Sequence, residues 1–310
     1  MRLKRCSLSR KRNKHTINGI FSPLTKYLVT LYNYETIGIG VAFSPNLQAN
    51  LHEATRLSRM LDAQLVVLHV GEETAEKSLQ IAEIITEEKG EPIDYKIEYI
   101  NGEPVKAILN AVKDFKIDLL LLGALVEEKF VKYYLGSIAR KITRKASCSV
   151  LLMIHPSVLR VPCQHIVVNG FEDEHTVNTI KAAFHIANAL GSEQLTIVEE
   201  IRQDAVTINV DDDHGLRRAN ILKEKLRRKE ERRVQEILQS IPLEWKKDLT
   251  VNTQPIFGKR GYSIGHYAQI ARADLLVMNA PSKKRSTDRF FPHDIEYILN
   301  ELPTDVLIVR

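Results

Sequence analysis

Cysteine is scarce in this chain. Cys6, Cys148 and Cys163 lie far apart in 310 residues and form no CxxC or CxxxC pair. That disfavours a disulfide framework and a zinc site, and it suits a reducing, cytoplasmic setting. No segment approaches the roughly 20 apolar residues that a membrane-spanning helix needs. Signatures of covalent or metal-assisted chemistry are missing too: there is no GxxxxGK[ST], no GxSxG and no HExxH, so no enzyme activity is expected. Acidic residues are absent from positions 1–34, which hold eight Lys or Arg. The net charge of +5 therefore belongs to this tail, because the rest of the chain has 36 basic against 39 acidic residues.

The tail "MRLKRCSLSRKRNKH" has the charge of an arm for RNA or anionic lipid. A solvated terminus or an over-called translation start explains it equally well. No apolar core or small-residue cleavage site follows the charges, as a secretory leader would require. The apolar stretch "IFSPLTKYLVTLYNY" is broken by Pro23 and Lys26. Residues 1–35 are expected to form a basic, disordered tail.

What the chain has is alternation. With 44% apolar and 27% charged residues it has the composition of a soluble globular protein, long enough for two domains. "IGIGVAF" (37–43) reads as a buried strand. "LQANLHEATRLSRML" follows with apolar residues at 47, 51, 54, 57, 60 and 61, the spacing of a helix. "AQLVVLHV", "IDYKIEYI", "DLLLLG" and "CSVLLMI" read as four further strands, with helices over 74–89, from Gly102-Glu103-Pro104, and over "GSIARKITRKA". His69 falls inside a strand and reads as a satisfied core histidine. Strands separated by helices of this length imply right-handed crossovers and a parallel sheet covered on both faces.

The pattern then repeats. "DLLLLG" at 118 recurs as "DLLVMN" at 274, an offset of 156 that also maps Gly102 onto Gly258 and "SVLLMI" onto "DVLIVR". Earlier the offset is 129, taking "IGIGVAF" to "IVVNGF" and Leu61 to Leu190. The difference places about 27 extra residues between Glu199 and Gly258. The fold class is thus α/β, with two tandem doubly wound parallel five-stranded sheets. The expected domains are 36–156 and 163–310, the second with a helical insertion at about 200–245. The insertion carries "RRANILKEKLRRKEERRVQEILQSI", an amphipathic helix whose basic outer face reads as solvated. "DDDH" (211–214) reads as its acidic leading turn rather than a metal site.

The stretch "GALVEEKFVKYYLGS" (123–137) joins the fourth strand to the next helix, where a parallel sheet of this kind binds its ligands. A glycine directly after the strand and Gly136-Ser137 opening a helix suit a phosphate, whereas Glu127 and Glu128 repel one. Five strands, a Gly-x2-Gly-x9-Gly-Ser spacing and a strand of type "CxVLLM" resemble the universal stress protein family. The resemblance covers both repeats and is stronger in the first, over "NGEPVKAIL" and from "DLLLLGA" to "SVLLMI". It implies an adenine nucleotide alpha hydrolase-like fold, and ATP or AMP (with magnesium) held against this loop. It also implies dimers formed through the fifth strand. The Ser-Gly-Gly fingerprint of the related PP-loop pyrophosphatases follows neither first strand.

By that resemblance the weak nucleotide site of the first domain comprises Ala42, Val70, Leu122, Gly123, Val126, Gly136, Ser137 and Ile138. Ser137 would add a hydroxyl donor and serve as N-cap, and Val70 would pack the adenine. Two positions depart: Val126 replaces the second glycine and Ala42 the ribose-binding aspartate. In the second repeat Phe171, Glu199, Asn279, Ser282, Pro292 and His293 stand at the matching positions, so that copy is expected not to bind. The resulting expectation is a sensor or adaptor acting through an unnamed protein partner, its two domains forming an internal pseudo-dimer, with homodimers as a further option. A true ATP-binding switch with slow hydrolysis, and an RNA-associated protein using the tail and insertion helix, are the alternatives; a nucleic-acid partner is not expected. Deleting residues 1–30 should leave the thermal unfolding midpoint nearly unchanged, since nothing there has the periodicity to bury a core face. A drop of many degrees by calorimetry would show instead that the tail docks on the domains.

Overall fold

Apolar runs of five to nine residues, each bounded by a turn, become strands, and the longer segments with helical spacing cross over between them. The computed structural model describes residues 33–127, 132–208, 211–280 and 294–310. The basic tail lies outside the described residues up to position 32, as do Glu128, Ser282, Pro292 and His293. The first half runs β1 (Thr36–Val41), α1 (Leu47–Leu61), β2 (Gln64–Val70), α2 (Ala75–Glu87), β3 (Tyr95–Ile100), α3 (Pro104–Asp114) and β4 (Leu119–Gly123). A ribbon of β5 (Leu125–Glu127) and β6 (Lys132–Tyr134) follows, then α4 (Ser137–Lys145) and β7 (Ser149–Met153). The second half runs β8 (His165–Asn169), α5 (Thr176–Leu190), β9 (Gln194–Arg202), α6 (Asp213–Gln239) and β10 (Thr250–Gly258). It closes with α7 (Tyr262–Ile270), β11 (Leu275–Asn279), α8 (Asp294–Asn300) and β12 (Asp305–Val309).

The helix starts follow from local chemistry. Thr74 accepts the amide of Lys77 at 3.3 Å. Glu103 accepts those of Val105 and Lys106 ahead of α3, with Pro104 in the first turn. Asp212, within the DDDH run, accepts the amide of Gly215 at 2.6 Å and so caps α6. The repeat is visible in one device used twice. Asp118 takes the amides of Glu35 and Thr36 just before β1, and Asp274 takes those of Gln164 and His165 just before β8.

The two five-stranded sheets are joined edge to edge into one of ten strands, in the order β10-β9-β8-β11-β12-β7-β4-β1-β2-β3. All neighbours are parallel except β12 and β7, which pair antiparallel with Val306 opposite Leu152, Leu307 opposite Leu151 and Ile308 opposite Val150. Every residue of β7 is buried. Left as edges, these two strands would expose apolar faces and open hydrogen-bond ladders together. The actual edges are β3, with its Lys96–Glu98 pair, and β10, which carries Pro255. Helices α1, α2, α5 and α6 cover one face and α3, α4, α7 and α8 the other.

The joint is reinforced on both faces. Arg144 of α4 forks onto Glu296 of α8, and Arg140 donates to Asn300 Oδ1 at 2.6 Å and to the carbonyl of Leu299 at 2.8 Å. On the other face Arg56 of α1 reaches the linker carbonyls of Ser157 and Val158. In monomeric protein, hydrogen exchange should therefore find the amides of 150–152 and 306–308 among the slowest. Fast exchange in both strands would contradict the joint.

Candidate functional site

In the first half the strand order reverses between β1 and β4, the point beyond whose carboxyl ends a parallel sheet forms its ligand crevice. Ala42 leaves β1 exposed, its carbonyl accepting the amide of Ser44 at 2.8 Å. Val70 ends β2 half-buried, packed toward the α3 side of the sheet. His69 points the other way and is not a core residue. It sits half-buried at the crevice rim, with Nδ1 3.2 Å from the carbonyl of Val41 and its ring edge-on to Phe43 and Tyr99. Its place at the carboxyl end of the strand, where the helical cover stops, is the reason.

Leu122 is buried, and Gly123 ends β4 against α1. A Cβ at Gly123 would lie 3.0 Å from the side-chain amide of Asn50. Asn50 itself has a buried Oδ1 without a hydrogen-bond partner, which is costly unless something donates to it. The chain's own pattern carried the signal: Asn50 falls on the stripe of Leu47, Leu51 and Ala54, a polar residue where α1 is otherwise apolar.

The stretch between Gly123 and Gly136 folds differently from a continuous cradle. Ala124 donates to the carbonyl of Met153 at 2.8 Å. The chain then runs out along β5 and back along β6, with Val126 opposite Tyr133 and Glu127 opposite Lys132. Val126 is thus a strand residue of a ribbon. Leu135 returns to the core. Gly136, not Ser137, is the N-cap of α4; Ser137 is the first helical residue, exposed, and no side chain caps the helix. Ile138 is exposed beside it. With no acid in the first turn, the orphan amides of α4 face solvent unopposed by a fixed negative charge there.

The second half resolves one register that the offset of 129 misplaces. Thr36 pairs with Gln64 in the first half and His165 with Gln194 in the second. The turn into β9 is therefore one residue longer than the turn into β2, and Val70 corresponds to Glu200 rather than Glu199. A slip of one residue exchanges the faces of a strand. The Glu200 carboxylate accepts the amides of Gly261 at 3.0 Å and Ile264 at 2.8 Å, capping α7. Phe171, at the position of Ala42, is buried under the Arg260 guanidinium, 4.3 Å from its ring centre. Asn279, at the position of Gly123, donates to Thr176 Oγ1 at 3.1 Å. The carbonyl of Gly170 accepts from Arg233 of α6. Side chains of the protein itself thus stand at these positions of the second crevice, and a cavity of about 480 Å³ remains between the start of α5 and α6.

Residues 33–153 match the Universal stress protein family. Universal stress protein YxiE of Bacillus subtilis (strain 168) is 26% identical over 129 residues, a match covering 33% of this chain and 87% of that protein. A universal stress protein from Archaeoglobus fulgidus DSM 4304 has a similar structure, with a TM-score of 0.62 at 15% identity over 90% of this chain and 99% of that one. A functionally unknown protein of Pseudomonas aeruginosa PAO1 gives 0.61 at 16%, over 89% and 92%. At such identities the likeness is one of fold, and it extends over both halves. Among the described residues no cluster of three or more His, Cys, Asp or Glu could hold a metal ion, and no helix is long and apolar enough to cross a membrane.

Glu199 gives the second crevice a pH signature. Its carboxyl is fully buried with neither oxygen hydrogen-bonded, and burial pushes its pKa up from 4.5 to about 7, against the pull of Arg233. The folded chain then holds a proton that the unfolded chain releases, so stability falls as pH rises from 4.5 to about 7 and the loss is complete above that. Glu199→Gln removes the penalty. It should raise the unfolding midpoint by about 3–6 °C at pH 8 and by less than about 2 °C at pH 5. Equal shifts at both pH values would show that Glu199 does not titrate in this way.

Proposed function

We propose that the chain, whose residues 33–153 match the Universal stress protein family, is a member of that family and works as a sensor or adaptor through protein contacts. In this reading 36–156 and 163–310 are two domains joined as an internal pseudo-dimer, and only the first has a nucleotide crevice, weak for ATP or AMP. The observation that supports it is the contrast between the two crevices. Phe171, Arg260 and Glu200 occupy the second, whereas the first keeps Gly123 beside an unsatisfied Asn50 and an uncapped α4.

Within the first crevice, adenine would lie against Val70 and Leu122, with phosphates toward the amides of Ser137 and Ile138. Gly123 and Gly136 would let the backbone approach. Val126, drawn into the ribbon, leaves the phosphates fewer free backbone donors. Ala42 offers the ribose no acceptor, and each missing charge-assisted bond weakens binding by roughly 1.5–3 kcal/mol. The reading thus places the dissociation constant for ATP near the millimolar range, about −4 to −5 kcal/mol.

Calorimetric titration of the full chain with ATP and magnesium tests it, using wild type and Ala42→Asp. Position 42 is exposed, so the new carboxylate need not be buried. Wild type should bind near millimolar, and the variant about tenfold or more tighter. Low-micromolar or tighter binding by wild type would favour a dedicated ATP switch instead. No binding by either protein at several millimolar would remove nucleotide from the account.

A further inference from the structure

A cavity lies away from both crevices, where the two halves meet. It has a volume of about 420 Å³ and opens between α1, α5 and the linker after β7. Its floor is the joint itself, where Leu151 of β7 faces Leu307 of β12. Leu57 and Met60 form the α1 wall, Ile186 and Leu190 the α5 wall, and Val161 with Pro162 the cover. A concave, largely apolar site of this size between domains, with a few converging polar groups, has the character of a small-molecule pocket.

The converging polar groups are acidic. Asp305, at the start of β12, accepts the amide of Ile154 at 2.8 Å and lines the cavity. Glu53 of α1 and Asp274 before β11 line it as well. Glu53 is engaged with Arg56 at 2.9 Å and the amide of Ser157, and Asp274 with two backbone amides. Asp305 likewise meets backbone amides, those of Ile154 and His155, and it is the most deeply placed of the three. Burial pushes its pKa up to about 6, and the side-chain charges that act on it, Glu53 and Asp274, both push the same way. Arg56 is committed to Glu53, Glu88 and linker carbonyls, while Arg160 and Arg272 stand exposed at the rim. His155 lines the exposed rim beside Asp305 as well, and among the described residues no arginine of the cavity forms an ion pair with Asp305.

We propose that this cavity binds a small organic cation, an apolar body bearing one protonated amine, with the ammonium against Asp305 and the body on the Leu151–Leu307 floor. An ammonium there pairs with a carboxylate otherwise held by backbone amides, and the apolar walls supply burial for the remainder. An anion on the same floor would be repelled by Asp305, with Arg160 and Arg272 out at the rim, and a neutral molecule would gain only the apolar part.

Three probes of one shape separate these cases: 2-phenylethylamine, 2-phenylethanol and phenylacetate, titrated calorimetrically into the full chain at pH 7.5. The amine should bind about tenfold or more tighter than the alcohol, as one charge-assisted bond allows, and the acid most weakly. Methyl signals of Met60 and Met153 should shift with the amine. Asp305→Asn should bring the amine down to the alcohol and leave the alcohol unchanged. If that variant does not fold, the wild-type pH profile decides. Affinity for the amine should fall as pH drops through about 6 while affinity for the alcohol stays level. Equal affinities for the three probes, a flat pH profile, methyl shifts elsewhere only, or no binding of the amine at millimolar concentration would each overturn the proposal.

Discussion

The antiparallel pairing of β7 with β12 is the constraint on which the rest of the molecule depends. Both strands are apolar on both faces, so neither could end a sheet in water. Pairing them covers two edges with one ladder and fixes the two halves head to tail. Because the joint is antiparallel while every other pairing in the ten-stranded sheet is parallel, the carboxyl ends of the two sets of strands point to opposite ends of the sheet. The two crevices therefore never face each other. The same joint brings α1 beside α5 and α4 beside α8, and the first of these pairs leaves the cavity over the Leu151–Leu307 contact.

Within that symmetric frame the halves differ by small local events with large chemical results. One additional residue in the turn before β9 turns Glu200 toward α7, where it serves two amides of a helix start that would otherwise lack a partner. The preceding Glu199 is left facing the other side with no hydrogen bond. The insertion helix α6 lies over this end and sends Arg233 to the backbone of Gly170. In the first half nothing comparable intrudes among the described residues, and Gly123 meets only the amide of Asn50.

The strand and helix succession was legible because its signals are periodic and long. The six apolar positions of α1, the four-leucine run of β4 and the offsets of 129 and 156 each rest on several residues. The features that were not legible rest on one or two. A single added residue in a turn leaves the flanking helix match intact and yet shifts the next strand by one. The β5–β6 ribbon consists of two three-residue strands carrying charge, too short for alternation to show. Asn50 and His69 depend on where a helix or strand ends relative to its cover, which is a property of packing. Ser137 illustrates the limit at a helix start: Gly-Ser fits both cap assignments, and only the backbone angles of Gly136 distinguish them.

In the proposed function the two halves, built on one pattern, are unequal: the first crevice takes the nucleotide and the second holds side chains of the protein itself at the matching positions. Photo-cross-linking with 8-azido-ATP, followed by peptide mapping, tests this most directly, because millimolar affinity is sufficient to label and the label records place. Labelled peptides should carry Ala42, Asn50 or Val70 and none should come from the second half, with labelling suppressed by excess ATP. ATP-protected labelling of peptides carrying Phe171, Glu200 or Asn279 would contradict it.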